Sequence, residues 1–479
     1  MAAQRTEAFS TADAAWLRME DPTNLMMITG VLMFDEPIDF GRFRSIIEQR
    51  LLRFDRFRMR VKKPSGANAP PEWEFDPYFN INAHLHRVAL PAPGGKRALQ
   101  ALVSDLMSTP LDFSKPLWHF HVVENYNGGS AVLCRQHHAI ADGIALVQVL
   151  LSLTDEHADT PAPEPADQPP HDRNPVEAIL LPMARSLSNA VQSAETLIHE
   201  SRALLDDPVR LVDAARTGVS GMQALNKLLF MPSDPVTLFK GQLGVEKRAA
   251  WSEPIALNDV RQVGSMFRGT INDVLLNAVS GALRRYMIQR GATADGLNIR
   301  AVVPVNLRPP GPITELGNRF SVVFLDLPIG IDDPFDRLLE LKRRMEGIKG
   351  TPEAMVAFGI LNLIGTLPPQ LAEVAVNMFG SKATAVMTNV PGPRQQIYLA
   401  GSPISKIMFW VPQSGHLGLG VSIFSYAGEV LVGIAADAGL VPDPEAIVAA
   451  FHTEFDDLLR LARIVATGTA PDHARTVEA

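Results

Sequence analysis

Two apolar runs of β type, His119 to Tyr126 and Ser130 to His137, flank Asn127-Gly128-Gly129. Asn and Gly supply the left-handed residues that a tight hairpin turn needs, so the chain is predicted to fold back here as an antiparallel pair. The second run ends on His137-His138-Ala139-Ile140-Ala141-Asp142-Gly143, and a helix is expected from Gly143 to Leu153. Side chains alternate across a strand, so His137 and His138 point to opposite faces. One is expected to face a cavity and the other a wall. Asp142 is placed to anchor the turn, and Gly143 to permit a tight path into the helix.

Similar material lies on both sides of this hairpin. Ser10 is a cap for a short helix carrying Asp13, Ala14 and Trp16, and Met26 to Phe34 reads as a buried strand. Phe40 to Phe54 and Arg97 to Met107 have helical spacing. Further on, Ile271 to Gln289 and Phe335 to Lys349 read as helices, Arg300 to Asn306 and Ser321 to Leu327 as strands. Leu417 to Tyr426 and Glu429 to Ala436 make a second hairpin across Ala427-Gly428, and Pro444 to Thr467 a final helix. Strands mixed with helices in both halves predict an α/β or α+β protein of two similar-sized bodies. Asp155 to Pro175, rich in Pro, Asp, Ala and His, has little to bury and reads as a flexible loop. Val176 to Leu229 is expected to cross between the halves as helix. The boundaries are therefore set at 1–154, 155–250 and 251–467, with a loose tail at 468–479.

Composition removes several classes of function. The chain has 479 residues, 44 basic against 52 acidic, for a net charge of −8. That balance argues against a nucleic-acid binder. One cysteine, Cys134, excludes an internal disulfide and a multi-thiolate zinc site, and fits a reducing, cytoplasmic setting. The polar start, Met1 to Ser10, is not expected to be an export signal. Two uncharged or nearly uncharged stretches invite a membrane reading. Ala354 to Ala372 is broken by Pro368 and Pro369, and Ile407 to Gly428 by Pro412 to His416, read as a turn between two strands. Neither is expected to span a bilayer.

A neutral imidazole facing a cavity is suited to take a proton from a hydroxyl, thiol or amine near pH 7. Other readings of the same residues stand beside it. The histidines can be satisfied polar groups at a strand end. They can bind a metal with Asp142, although no further ligand cluster lies nearby in sequence. Cys134, on the same strand face as His138, can be a nucleophile, or an inert buried thiol.

The spacing His-His-x-x-x-Asp-Gly, with segments in matching order around it, resembles the wax ester synthase/acyl-CoA:diacylglycerol acyltransferase family, within the superfamily of CoA-dependent acyltransferases. Those segments are Asp13 to Glu20, Leu111 to Trp118 with its Pro-Leu-Trp, Asn272-Asp273, Pro304 to Arg308, Leu316-Gly317-Asn318 and Asn389-Val390-Pro391-Gly392-Pro393. Where the family usually has Pro-Met-His, this chain has Leu25-Met26-Met27. The resemblance implies two chloramphenicol-acetyltransferase-like halves joined by a helical crossover, with a tunnel between them. It implies His138 as general base, with His137, Asp142 and Gly143 completing the motif and Asp142 structural. Asn272 and Asp273 would contact substrate, with a helix cap as the alternative role. Arg308 and Arg394 are candidates for the phosphates of CoA. The implied partners are acyl-CoA and a fatty alcohol or diacylglycerol, met at a membrane or lipid-droplet surface from the cytoplasm. No resident cofactor is implied, since acyl-CoA is a substrate.

Overall fold

The structure is a computed structural model, and it describes residues 6–62, 71–161, 219–307, 316–349 and 351–467. The first half runs β1 (Thr6–Ala8), α1 (Thr11–Arg18), β2 (Met27–Phe34), α2 (Phe40–Arg50), β3 (Met59–Lys62), β4 (Glu72–Phe75), β5 (Leu85–Ala89), α3 (Lys96–Met107), β6 (Trp118–Tyr126), β7 (Gly129–His137) and α4 (Gly143–Ser152). The second begins with α5 (Val219–Phe230), β8 (Lys247–Trp251), β9 (Ile255–Ala256), α6 (Leu257–Met266), α7 (Ile271–Gln289), β10 (Ile299–Asn306) and β11 (Phe320–Leu327). It continues through α8 (Pro334–Ile348), α9 (Glu353–Thr366), α10 (Pro369–Gly380), β12 (Ala385–Pro391), β13 (Tyr398–Leu399), β14 (Ser402–Pro403), β15 (Lys406–Trp410), β16 (Leu419–Tyr426), β17 (Glu429–Asp437) and α11 (Pro444–Thr467). Most of the expected crossover, Val176 to Leu229, lies outside the described residues, and α5 is its end.

The two hairpins share one turn chemistry. Asn127 and Gly128 have φ of 50° and 85° between β6 and β7, and Ala427 and Gly428 have 48° and 84° between β16 and β17. Positive φ at both central residues is the type I′ turn, whose twist matches that of the strands it joins. Each hairpin then feeds a helix, α4 or α11. The halves therefore repeat one plan: a hairpin in the sheet and a helix behind it.

The sheets do not respect the boundary between the halves. The first is ordered β15-β2-β7-β6-β5, and the second β11-β10-β12-β16-β17-β8, with β9 also on β17. β15 comes from the second half yet pairs antiparallel with β2, from Lys406↔Met33 to Trp410↔Thr29. The two strands expected around Pro412 to His416 are present, but the turn carries the chain from one sheet to the other. The stretch Ala354 to Ala372 is two helices, because proline fits the first turn of a helix and not its interior. Among the described residues no helix is long and apolar enough to cross a membrane.

Burial follows the same plan. One apolar core, with Phe43, Phe57, Trp118 and Leu146, lies under the first half and takes in Phe320, Ile364 and Phe424 of the second. A second, with Val274, Leu283, Ile434 and Phe455, lies under the second. A third draws Val31 and Leu133 from one half together with Trp251, Trp410 and Leu431 from the other. That shared core fixes the halves against each other, and His138 sits at their junction.

Candidate active site

His138 follows the last residue of β7. Its backbone N–H donates to Met26 O at 2.7 Å, which ties the loop to the start of β2. Its ring is stacked on Trp16 of α1, with centroids 4.0 Å apart and 22° between planes, and Phe320 of β11 lies 5.5 Å away. The residue is 4% exposed. Burial holds its pKa down to about 4, while the charge of Asp142 and the residue's own backbone carbonyl pull upward. The imidazole is therefore neutral at pH 7, and Nδ1 makes no hydrogen bond of good geometry. The channel expected at this ring is covered here by Trp16 and Phe320.

The loop after the strand is held from both halves. Asn318 Nδ2 donates to His138 O at 2.9 Å and to Asp13 Oδ1 at 2.8 Å, and its backbone N–H reaches Asp13 Oδ1 at 3.0 Å. Arg56 Nη1 donates to Asp13 Oδ2 at 2.8 Å, and to the carbonyls of Ala139 and Ile140 at 3.4 and 3.3 Å. Asp13 is 0% exposed, so its charge relies on these donors rather than on water. Three consecutive carbonyls, 138 to 140, are thus gripped by Asn318 and Arg56 around one buried carboxylate.

Asp142 has a different task. Its Oδ1 accepts from Ala145 N at 2.8 Å, which caps α4. Its Oδ2 accepts from Arg319 N at 2.9 Å, which ties the cap to the second half. With both oxygens taken by N–H donors, the metal reading of the His-Asp motif loses its third ligand. Among the described residues no three His, Cys, Asp or Glu side chains are placed to share an ion. His137 is sealed, as strand alternation requires if His138 faces the junction. Its Nδ1 accepts from Ala139 N at 3.0 Å, and its Nε2 lies 3.3 Å from Glu20 Oε2 without good hydrogen-bond geometry.

The structure gives several of the other expected residues a different place. A methyl added at Gly143 would meet only Ile28 Cδ1 at 3.9 Å, so crowding does not demand glycine there. The cap of α7 is Thr270, not Asn272: Thr270 and Asp273 form a reciprocal capping box. Asp273 is buried, and its Oδ2 accepts from Thr270 N at 2.8 Å. Asn272, one residue into the first turn, is free of that duty. Its Oδ1 accepts from Asn389 Nδ2 at 3.0 Å, which joins the Asn-Asp segment to the Asn-Val-Pro-Gly-Pro segment. Cys134 is buried, and burial pushes its thiol up to about 12, so it holds its proton and is no nucleophile. Trp118 of Pro-Leu-Trp donates to Phe57 O at 2.8 Å inside the core, and Leu117 O accepts from His137 N. Arg394 is exposed, and Arg308 lies outside the described residues.

In the sequence, Asp13, Trp16 and Asn318 stand in the matching segments without an assigned role, and Arg56 stands in none of them. A charged residue inside the short apolar helix Thr11–Arg18 is the signal for Asp13, since such a group needs a partner. Nothing local marks Arg56, whose partners, Glu7, Asp13 and the carbonyls of Ala139 and Ile140, are 43 to 84 residues away in the chain.

The catalytic domain described as wax ester synthase/diacylglycerol acyltransferase matches residues 9–275, and the corresponding C-terminal domain matches residues 316–459. A putative diacylglycerol O-acyltransferase of Mycobacterium bovis is 30% identical over 470 residues, covering 93% of this chain and 97% of that protein. Another, of Mycobacterium tuberculosis, is 29% identical, covering 95% of this chain and 90% of that protein. Among solved structures, the wax ester synthase/diacylglycerol acyltransferase of Marinobacter aquaeolei superposes with a TM-score of 0.67 at 20% identity, over 95% of this chain and 100% of that one. The starter condensation domain of rhizomide synthetase gives 0.56 at 12% identity, over 96% and 94%. These two show the same fold.

Proposed function

Because the chain belongs to the wax ester synthase/diacylglycerol acyltransferase family, we propose that it moves a long-chain acyl group from acyl-CoA to the hydroxyl of a fatty alcohol or of diacylglycerol. The observation that carries the chemistry is the neutral imidazole of His138, desolvated at the junction of the two halves. In this reading Trp16 and Phe320 part to admit the two substrates. As they part, the ring is partly solvated and its pKa rises toward that of a working base. His138 takes the hydroxyl proton while the oxygen attacks the thioester carbonyl. The tetrahedral oxyanion then collapses, the C–S bond breaks, and the proton passes from His138 to the departing thiolate to give free CoA and the ester. No acyl-enzyme is needed, since bringing both substrates together supplies most of the advantage. The protonated, buried Cys134 agrees with direct transfer. No resident cofactor takes part.

Each group has a support. Asn318, Arg56 and Asp142 fix the loop on which the base rides. Asn272, paired with Asn389, is the candidate to place substrate or meet the oxyanion. Long-chain alcohols and diacylglycerol reside in lipid rather than in water, so the enzyme works on the cytoplasmic surface of a membrane or droplet without spanning it.

The test is release of free CoA from palmitoyl-CoA by the purified protein, with hexadecanol, dioleoylglycerol and short or branched alcohols offered in parallel. Ester formation with either lipid acceptor supports the reading. Turnover only with short or branched alcohols moves the substrate class, and no release above background with any acceptor removes the enzymatic reading altogether.

A further inference from the structure

The helix α10 is apolar on the side that should be polar. Leu371, Val374 and Met378 recur at i, i+3 and i+7, the spacing of one helical face. They are 55%, 66% and 40% exposed, so much of that face is left uncovered by the described residues. Leu363, on α9, is 58% exposed, and Leu229 and Phe230, at the end of α5, are 40% and 80% exposed. The three helix segments adjoin. Lys382, two residues past α10, donates to the carbonyls of Leu228, Leu229 and Met231 at 2.8, 2.6 and 3.0 Å. Lys227 of α5 is paired with Glu353 of α9. Scattered apolar residues are normal on a protein surface, but a contiguous set on adjoining elements marks a place where something docks.

The charge of this face selects its occupant. Residues 351–381 contain two ionisable side chains, Glu353 and Glu373, and no Lys or Arg. Glu353 is 1% exposed and paired with Lys227, which leaves Glu373 as the exposed charge of that stretch. A face that sought anionic headgroups would carry a basic rim, since each Lys or Arg near such a surface adds attraction. Across α5, α9 and α10 the charges are Lys227, 53% exposed but paired with Glu353, and Glu373, so the face has no net positive charge and fits an uncharged lipid surface.

The face is also close to the base. Arg18, at the end of α1, donates to the carbonyls of Ile364, Gly365 and Leu367 at the elbow between α9 and α10. Thr11 Oγ1 donates to Asn362 Oδ1 at 2.5 Å. A Cβ at Gly365 would collide with the backbone of Thr11, so α9 and α1 touch main chain to main chain. α1 carries Trp16 on its inner side, stacked on His138. One helix thus separates the outward apolar elbow from the ring that the acceptor must reach.

We propose that the outer face of α9, α10 and the end of α5 seats this protein on an uncharged lipid surface, so that a lipid alcohol arrives on the α1 side of His138. This rests on the acyl-transfer reading for its purpose, though not for its measurement. The full chain is floated with triolein droplets coated in phosphatidylcholine, and separately with vesicles containing a third phosphatidylglycerol. The wild-type protein binds the droplets, and 1 M salt leaves that binding intact. The variant L371S/V374S/M378S, and independently Phe230→Ser, bind at least tenfold and about threefold less. Both keep the melting temperature and, within twofold, the transfer rate to a water-soluble alcohol. Wild-type flotation by both variants overturns the proposal. So does binding that requires the anionic lipid and disappears in salt. A wild-type dimer that the triple variant converts to monomer also overturns it, since the face is then covered by a second copy. If no acceptor is acylated by any form, the activity reading fails while flotation still decides the surface.

Discussion

Replacing Asn318 by alanine removes a side chain that never needs to touch substrate, yet the structure assigns it a large effect. Its Nδ2 makes two hydrogen bonds: 2.8 Å to the carboxylate of Asp13 and 2.9 Å to the carbonyl of His138. A bond to a charged acceptor is worth about 2 kcal/mol and one to a neutral carbonyl about 1 kcal/mol. Both acceptors are buried, so solvent does not replace the lost donors. Asn318→Ala is therefore expected to lower the free energy of unfolding by about 3 kcal/mol. Asp13 keeps Arg56 and the backbone N–H of residue 318, so the fold survives. The loop carbonyl of His138 does not keep a partner, and a displacement of about 1 Å at a reacting group costs on the order of 100-fold in rate. Asn318→Asp is worse, because it sets a second carboxylate beside the first. Urea unfolding followed by tryptophan fluorescence reads the stability, and CoA release reads the rate. An Asn318→Ala protein within about 0.5 kcal/mol of wild type, with its turnover number unchanged, would refute the clamp.

Acid should weaken the fold through its histidines. Burial holds His138 at about 4, and burial with the nearby charge of Arg135 holds His119 and His121 at about 3. All three lie below the ordinary value, so the unfolded chain takes protons first. Their contribution is fully present above about pH 6.5 and is lost as pH falls toward 4 and 3. The urea midpoint should be flat above pH 7 and drop steadily below 6.5, and a midpoint that holds to pH 4.5 contradicts the assignment. Cys134, protonated and buried, should resist iodoacetamide in the native protein, and Cys134→Ala should transfer acyl groups within twofold of wild type. Native alkylation coupled to loss of activity would restore the thiol as a reacting group. Gly365→Ala should separate α9 from α1 and lower the melting temperature by several degrees. An unchanged melting temperature would show that the close approach at Thr11 is not needed.

Local patterns disclosed the elements and long-range contacts did not. Alternation and the Asn-Gly turn located β6 and β7, and capping with helical spacing located α1, α7 and α11. The same alternation placed His137 and His138 on opposite sides. What stayed hidden depends on partners distant in the chain. Lys406 to Trp410 reads as an ordinary strand, and nothing within it says that it will pair with β2 across more than 370 positions, as Lys406 does with Met33. Arg56 carries no signal in the sequence, because Asp13 and the loop carbonyls meet it only in the fold. For Asn272 a substrate contact and a helix cap both stay open in the sequence, since it precedes an Asp at a helix start, but the cap lies two residues earlier, at Thr270. The cover over His138 was also illegible, since Trp16 and Phe320 come from different halves.

The central claim is that one imidazole, at position 138, moves the hydroxyl proton. Its most direct measurement is the turnover number of folded His138→Ala with palmitoyl-CoA and hexadecanol at saturation, beside wild type. General-base catalysis is worth about 100- to 10,000-fold, so the variant should lose at least about 100-fold while its KM for palmitoyl-CoA stays within a few-fold. A folded His138→Ala protein that makes ester at the wild-type rate contradicts the account.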